Sequence, residues 1–160
     1  MTELEEYREH LLQRFETAVK EFRRACEAFA DPQRPLGAGE WSVHQIAVHT
    51  RDTDREVYGV RMRRTLEEEN PLFVNFDGEA WMASQYDAKE PLQQILSELA
   101  ESVREQVQRL RAVPREVWSR PSRHETLGKG FTTQTWVERN LTHIEEHLVT
   151  LRAAQAKARA

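Results

Sequence analysis

The chain has 160 residues, 39% hydrophobic and 31% charged, with six glycines, six prolines and a net charge of −4. That length suits a single domain over residues 1–160 with a real core, and the composition excludes a disordered or fibrous chain. The mild negative charge and the lack of a long Lys/Arg run argue against nucleic acid or an anionic membrane surface as the main partner. No apolar run approaches the roughly 20 residues of a membrane span, and the acidic start "MTELEEYREH" does not read as a signal peptide. The lone cysteine, Cys26, cannot form an internal disulfide and sits in a helical pattern without a nucleophile motif. It reads as a small core residue, and the expected compartment is the cytoplasm.

The first helix is predicted over 3–29. Its apolar positions are Leu4, Leu11, Phe15, Ala18, Phe22, Cys26 and Phe29, mostly three, four or seven apart. Thr2 and Glu5 form a capping box, and "DPQRPLGAGE" breaks the pattern. The second helix is predicted over 42–69. Ser42 caps it with Gln45 at the third position, and Trp41 is placed to staple onto Ile46. Asn70-Pro71 marks its end.

The segment from Pro71 to Glu90 carries Phe73, Phe76, Trp81 and Tyr86. Such a long aromatic connection is functional, contains a short helix of its own, or simply caps the bundle end. The third helix is predicted over 91–112, with Pro91 in its first turn and a stripe of Leu92, Ile95, Leu99, Val103 and Leu110. "VPREVWSRPSRHETLGKG" reads as a connection with one helical turn around Trp118. The fourth helix is predicted over 132–155, with Phe131 and Trp136 as a staple. No segment reads as a strand, and four such helices point to an all-α four-helix bundle.

At about 100° per residue, Val137, Leu141, Ile144, Leu148 and Leu151 centre the core face of the fourth helix. His143 and His147 run along one edge of that face, four residues apart. Their Cβ atoms are then about 5–6 Å apart, so both imidazoles can reach one metal ion at about 2 Å. On the second helix the core face centres on Val43, Ile46, Thr50 and Val57. His49 lies on one edge of that face and His44 on another, so His49 is the one that can join the pair. Asp52 and Asp54 follow it closely enough to support its ring. Three histidines leave a fourth position open to water or substrate, whereas structural zinc sites are closed by four protein ligands. All-nitrogen ligation suits Zn, Ni, Co or Fe(II). "HIEEH" is not a metalloprotease motif, because Ile144 stands where the catalytic Glu would follow the first His. An H-x-x-x-H pair also arises by chance, and then the three histidines are edge-of-core residues. His10 and His124 read as surface or loop residues, and Glu145 and Glu146 as a solvated face.

"GEWSVHQIAVHTRDTD" resembles the motif of the DinB/YfiT-like superfamily, in which a Trp-Ser start leads into a helix with a metal-binding His and then an acidic residue. "FTTQTWVERNLTHIEEHLVTLR" is similar to that family's second motif, a helix with H-x-x-x-H. "DGEAWMASQYDAKEPLQQILSELAESVREQVQRL" also resembles its members, so nearly the whole chain is covered. The resemblance implies His49, His143 and His147 as ligands of a divalent metal, with Zn or Ni ahead of Fe or Co. It also implies an up-down-down-up four-helix bundle, often a homodimer. One departure is Thr150, where many members have Gln three positions after the last His. His44 is not expected to be a ligand.

Relatives of this kind include S-transferases and isomerases that use low-molecular-weight thiols, and metal-dependent hydrolases. The resemblance therefore implies a small-molecule substrate and a metal-dependent enzyme that activates such a thiol, or water. The alternative is a non-enzymatic bundle in which the metal site is structural or ligand-sensing.

Overall fold

The computed structural model describes residues 1–160. Helix α1 spans Glu3–Glu27. The Thr2 hydroxyl accepts from the Glu5 N–H, and the Glu5 carboxylate accepts from the Thr2 N–H at 2.7 Å, which is the expected capping box. The helix ends two residues early, as the Pro/Gly segment begins. Helix α2 spans Val43–Thr53 and starts on a matching Ser42/Gln45 box.

The second predicted helix is one rod with a fault in it. Residues Asp54–Tyr58 form a π-helical turn, and helix α3 then spans Gly59–Glu67. Gly59 closes that turn by donating its N–H to the Asp54 carbonyl. A Cβ at Gly59 would lie 2.6 Å from the same carbonyl oxygen, which no ordinary contact allows. Asn70 turns the chain away in a left-handed conformation, with φ 44°.

The aromatic connection contains its own helix, α4 (Gly78–Gln85), whose first turn is capped by Asp77. Helix α5 spans Leu92–Ala112, a 3-10 turn follows at Arg115–Ser119 around buried Trp118, and helix α6 spans Thr133–Arg159. Phe131 stacks on Trp136 with ring centroids 4.9 Å apart, as a staple at the start of α6 requires.

The expectation of no strands is corrected. Strands β1 (Leu72–Phe73), β2 (Pro121–His124) and β3 (Gly128–Thr132) form a small sheet in that order, with β1 parallel and β3 antiparallel to β2. Gly128 and Gly130 supply the positive φ values, 94° and 88°, that this tight hairpin needs. Ser122 ties the hairpin to α6: its hydroxyl donates to the Phe131 carbonyl at 2.6 Å and accepts from the Trp136 indole N–H at 2.8 Å. The strands "PSRH" and "GKGFT" carry no apolar alternation, so periodicity alone reads them as loop.

Cross-helix side-chain contacts define how the rods lie. Arg8–Gln134, Arg14–Glu145 and Glu21–Arg152 run α1 and α6 in the same direction. Arg51–Glu98, Asp54–Ser102 and Glu67–Arg109 do the same for the α2–α3 rod and α5. Contacts from Arg23 to Ser97 and from Glu9 to Arg111 set α1 against α5 head to tail. Between the rods lies one contiguous apolar cluster centred on Phe15, Phe22, Ile95, Leu99, Trp136 and Ile144. All five residues expected at the centre of the α6 face are buried. Cys26 is fully buried, and burial pushes its thiol up to about 12, consistent with a core role. Leu4, expected in the α1 stripe, is exposed instead, since it precedes the packed turns.

Candidate metal centre

Helix α2 presents His49 and helix α6 presents His143 and His147. A buried polar clamp holds these helices in register. Asp54 is wholly buried. Its Oδ1 accepts from the Asn140 and Gln106 amides, each at 2.7 Å, and its Oδ2 from the Ser102 hydroxyl at 2.5 Å. One carboxyl group thus joins three rods. Asn140 lies about one turn before His143, and Asp54 follows His49 by five residues. Fixing Asp54 to Asn140 therefore fixes which turn of α6 faces His49. Burial raises the Asp54 carboxyl above its ordinary range despite the three donors.

The three imidazoles converge. Nε2 of His143 lies 3.0 Å from Nε2 of His49 and 3.0 Å from Nε2 of His147. One ring nitrogen from each residue falls within 4.8 Å of the others. The rings meet edge to face, with centroids 4.5–5.0 Å apart. Burial and the neighbouring imidazoles lower His49 to about 4 and His143 to about 3, and burial alone lowers His147. All three rings are thus neutral near pH 7. Neutral rings put lone pairs on the converging nitrogens, and His143 Nε2 faces two such nitrogens at once. One ring hydrogen cannot satisfy that arrangement, whereas one cation can. A spacing of 3.0 Å also matches two nitrogens about 2.1 Å from a shared ion at about a right angle. The donor set fits a divalent metal.

A family model described as the DinB superfamily matches residues 3–151. The chain belongs to the DinB superfamily. A solved structure, YfiT from Bacillus subtilis, superposes with a TM-score of 0.86 at 20% identity, over 99% of this chain and 90% of that chain. YfiT is described as a probable metal-dependent hydrolase with an unusual four-helix bundle topology. At that identity the likeness establishes the shared fold. No curated protein matches the sequence.

Within this DinB bundle His44 stands apart from the triad, as its position on α2 predicts. It is 1% exposed, and its ring nitrogens bond the Tyr86 hydroxyl and the Glu90 carbonyl, each at 2.7 Å. The roles expected for Asp52 and Asp54 need correction, because neither bonds to His49. Asp52 instead binds Arg51 and Arg55 and accepts from the Trp81 indole N–H at 3.0 Å, which pins α4 beside the site. Nδ1 of His143 is buried without a partner. Trp41 lies edge-on to His49, with centroids 5.0 Å apart.

His10 is exposed as expected. His124, expected at the surface or in a loop, is buried at the end of β2 and lines a cavity of about 320 Å³. His49, His143, Tyr58, Arg61 and Arg139 line it too. The sequence reading did not single out Arg61, Arg139 or Tyr58. For Arg61 and Tyr58 the only signal was helical position, which the π turn shifts, whereas Arg139 lies on the unbroken α6.

Proposed function

We propose that the protein is a metal-dependent enzyme that activates a low-molecular-weight thiol for transfer to a small electrophile. His49, His143 and His147 are its metal ligands, Zn or Ni the favoured ion, and the bundle runs up-down-down-up as a cytoplasmic homodimer. The single observation that carries this reading is the convergence of three neutral imidazole nitrogens beside an open cavity. Such a site leaves room for a reactant, as sites closed by four protein ligands do not. The parallel pairing of α1 with α6 and of α2–α3 with α5 supports the up-down-down-up order. Dimerisation rests on the family resemblance, and the cytoplasmic setting on composition.

His49, His143 and His147 would hold the divalent ion, which would lower the pKa of a thiol or water placed beside it. The chain's own part is positioning and shielding. The Asp54–Asn140 clamp fixes the spacing of the ligand helices. Trp41 and α4, held by Trp81–Asp52, wall the site on one side. Tyr58 lines the cavity 5.9 Å from the His143 ring, measured between centroids, where it can orient a bound reactant.

Hydrolysis is the second reading, favoured by the description of YfiT. Protein loaded with Zn or Ni, assayed with several low-molecular-weight thiols plus a chromogenic electrophile and separately with activated esters, distinguishes the two. Thiol-dependent turnover that is lost in His143→Ala supports the first. Ester hydrolysis without thiol supports the second. Metal binding with neither activity would favour the non-enzymatic alternative.

A further inference from the structure

We propose that the cavity beside the three histidines is an anion subsite. In it Arg61, Arg139 and the Nε2–H of His124 grip a carboxylate or a tetrahedral oxyanion carried by the substrate. The inference rests on the enzymatic reading for what the anion is for, but not for its binding.

Arg61 is 8% exposed, and no carboxylate lies within ion-pair distance of it. Its Nη2 donates to the Val74 carbonyl at 3.1 Å, and no protein acceptor meets its Nε or Nη1. The guanidinium lies over the Trp136 ring, 4.9 Å from its centroid. That stacking explains where the group packs, but it supplies no counter-charge. A buried cation without one is costly.

His124 provides an independent observation. Its Nδ1 accepts from the N–H groups of Thr126 and Leu127, each at 3.2 Å. A neutral ring accepting there carries its hydrogen on Nε2. That Nε2 lies 3.3 Å from Arg61 Nη2, so two donors face each other and neither can accept. Donors brought together in this way are satisfied by a shared acceptor, and an oxyanion offers several.

Arg139 lines the same cavity, stacks over Phe131 at 5.0 Å and has no carboxylate partner. The acid next to His124, Glu125, is exposed and bonds the Asn75 N–H at 2.6 Å. His49 and His143 form another part of the wall. An anion held by the arginines therefore places the remainder of a small molecule against the metal ligands.

The test is calorimetric titration of the metal-free protein at low ionic strength, with sodium sulfate and with sodium malonate. The variants are Arg61→Gln, Arg139→Gln and the exposed control Arg63→Gln. One equivalent of at least one anion should bind to wild type and to Arg63→Gln. Affinity should fall at least about tenfold in Arg61→Gln, as loss of charge-assisted bonds implies, and several-fold in Arg139→Gln. Preference for sulfate assigns a tetrahedral oxyanion, and preference for malonate assigns a carboxylate. If Arg61→Gln does not fold, the exposed Arg139 decides the matter. No anion binding by wild type, or equal binding by wild type and Arg139→Gln, overturns the subsite. Metal content is measured separately by elemental analysis. Anion binding in protein that takes up no metal would refute the metal-dependent reading and leave the subsite standing. Metal uptake with no anion binding would do the reverse.

Discussion

Replacing Gly59 with Ala should destabilise the protein, although the same change in an ordinary helix interior stabilises by about 1 kcal/mol. The reason is the π turn. A Cβ on residue 59 would sit 2.6 Å from the Asp54 carbonyl oxygen and 3.3 Å from the Gln106 amide nitrogen. The carbonyl is backbone, anchored by the turn itself, so it cannot swing away as a side-chain tip would. Overpacking of this kind costs roughly 1–3 kcal/mol. Against the propensity gain of about 1 kcal/mol, the net loss is about 1 kcal/mol. In a chain of this size that lowers Tm by about 3 °C. Relief of the clash would move Asp54 and loosen its clamp on Asn140, so metal affinity should fall as well. Thermal melts by circular dichroism, with metal titrations on the same samples, test both effects. A Tm equal to or above wild type would show that residue 59 behaves as a normal helical position and that the π turn is not a constraint.

His143→Ala should abolish metal uptake, because two nitrogens hold a divalent ion poorly against water. His44→Ala should keep its metal yet lose about 2–4 kcal/mol of stability, since it empties a buried site and orphans the Glu90 carbonyl; elemental analysis and urea melts check the pair. Stability of the metal-free protein should fall as pH drops. Unfolded histidines titrate near 6.5, whereas the folded state holds His49 near about 4 and His143 near about 3. Below pH 6.5 the unfolded chain therefore binds more protons, and the loss grows from pH 6.5 down to about 3 and vanishes above about 7. Identical urea midpoints at pH 7.5 and 5 would contradict it. Asp54→Ala leaves the Ser102, Gln106 and Asn140 donors buried without an acceptor. It should cost at least about 3 kcal/mol, roughly 6–12 °C in Tm, and a melt within 2 °C of wild type, about half a kcal/mol, would rule out the clamp.

The helices that carry the three histidines were legible because their residues obey local rules. Ser42 and Gln45 announce the start of α2, and the 3.6-residue period of Val137, Leu141, Ile144, Leu148 and Leu151 orients α6 well enough to place His143 and His147. His44 and His49 separate on the same arithmetic. What stayed hidden depends on contacts remote in sequence. The hairpin "PSRH"–"GKGFT" has no pattern of its own and exists because Ser122 binds both Phe131 and the Trp136 indole. Asp52 and Asp54 looked like supports for His49 by proximity along the chain. In space one serves Arg51 and Trp81, and the other serves α5 and α6.

The π turn also explains why Arg61 escaped a reading by helical period. From His49 to Arg61 is twelve residues. At about 100° each, an unbroken helix would turn Arg61 about 120° from the His49 stripe, out of reach of the same cavity. An i→i+5 turn accommodates one residue more than an α turn. With one residue absorbed at Asp54–Tyr58, the same span turns like eleven, and Arg61 returns to within about 20° of His49. The inserted residue brings the guanidinium of α3 onto the face that carries the histidine of α2, and the Asp54 carboxyl, at the start of the same turn, clamps α5 and α6. Gly59 is the local requirement of that arrangement, since its missing Cβ is what allows the turn to close. A single fault in one rod therefore couples the spacing of the three histidines to the charge lining the cavity beside them.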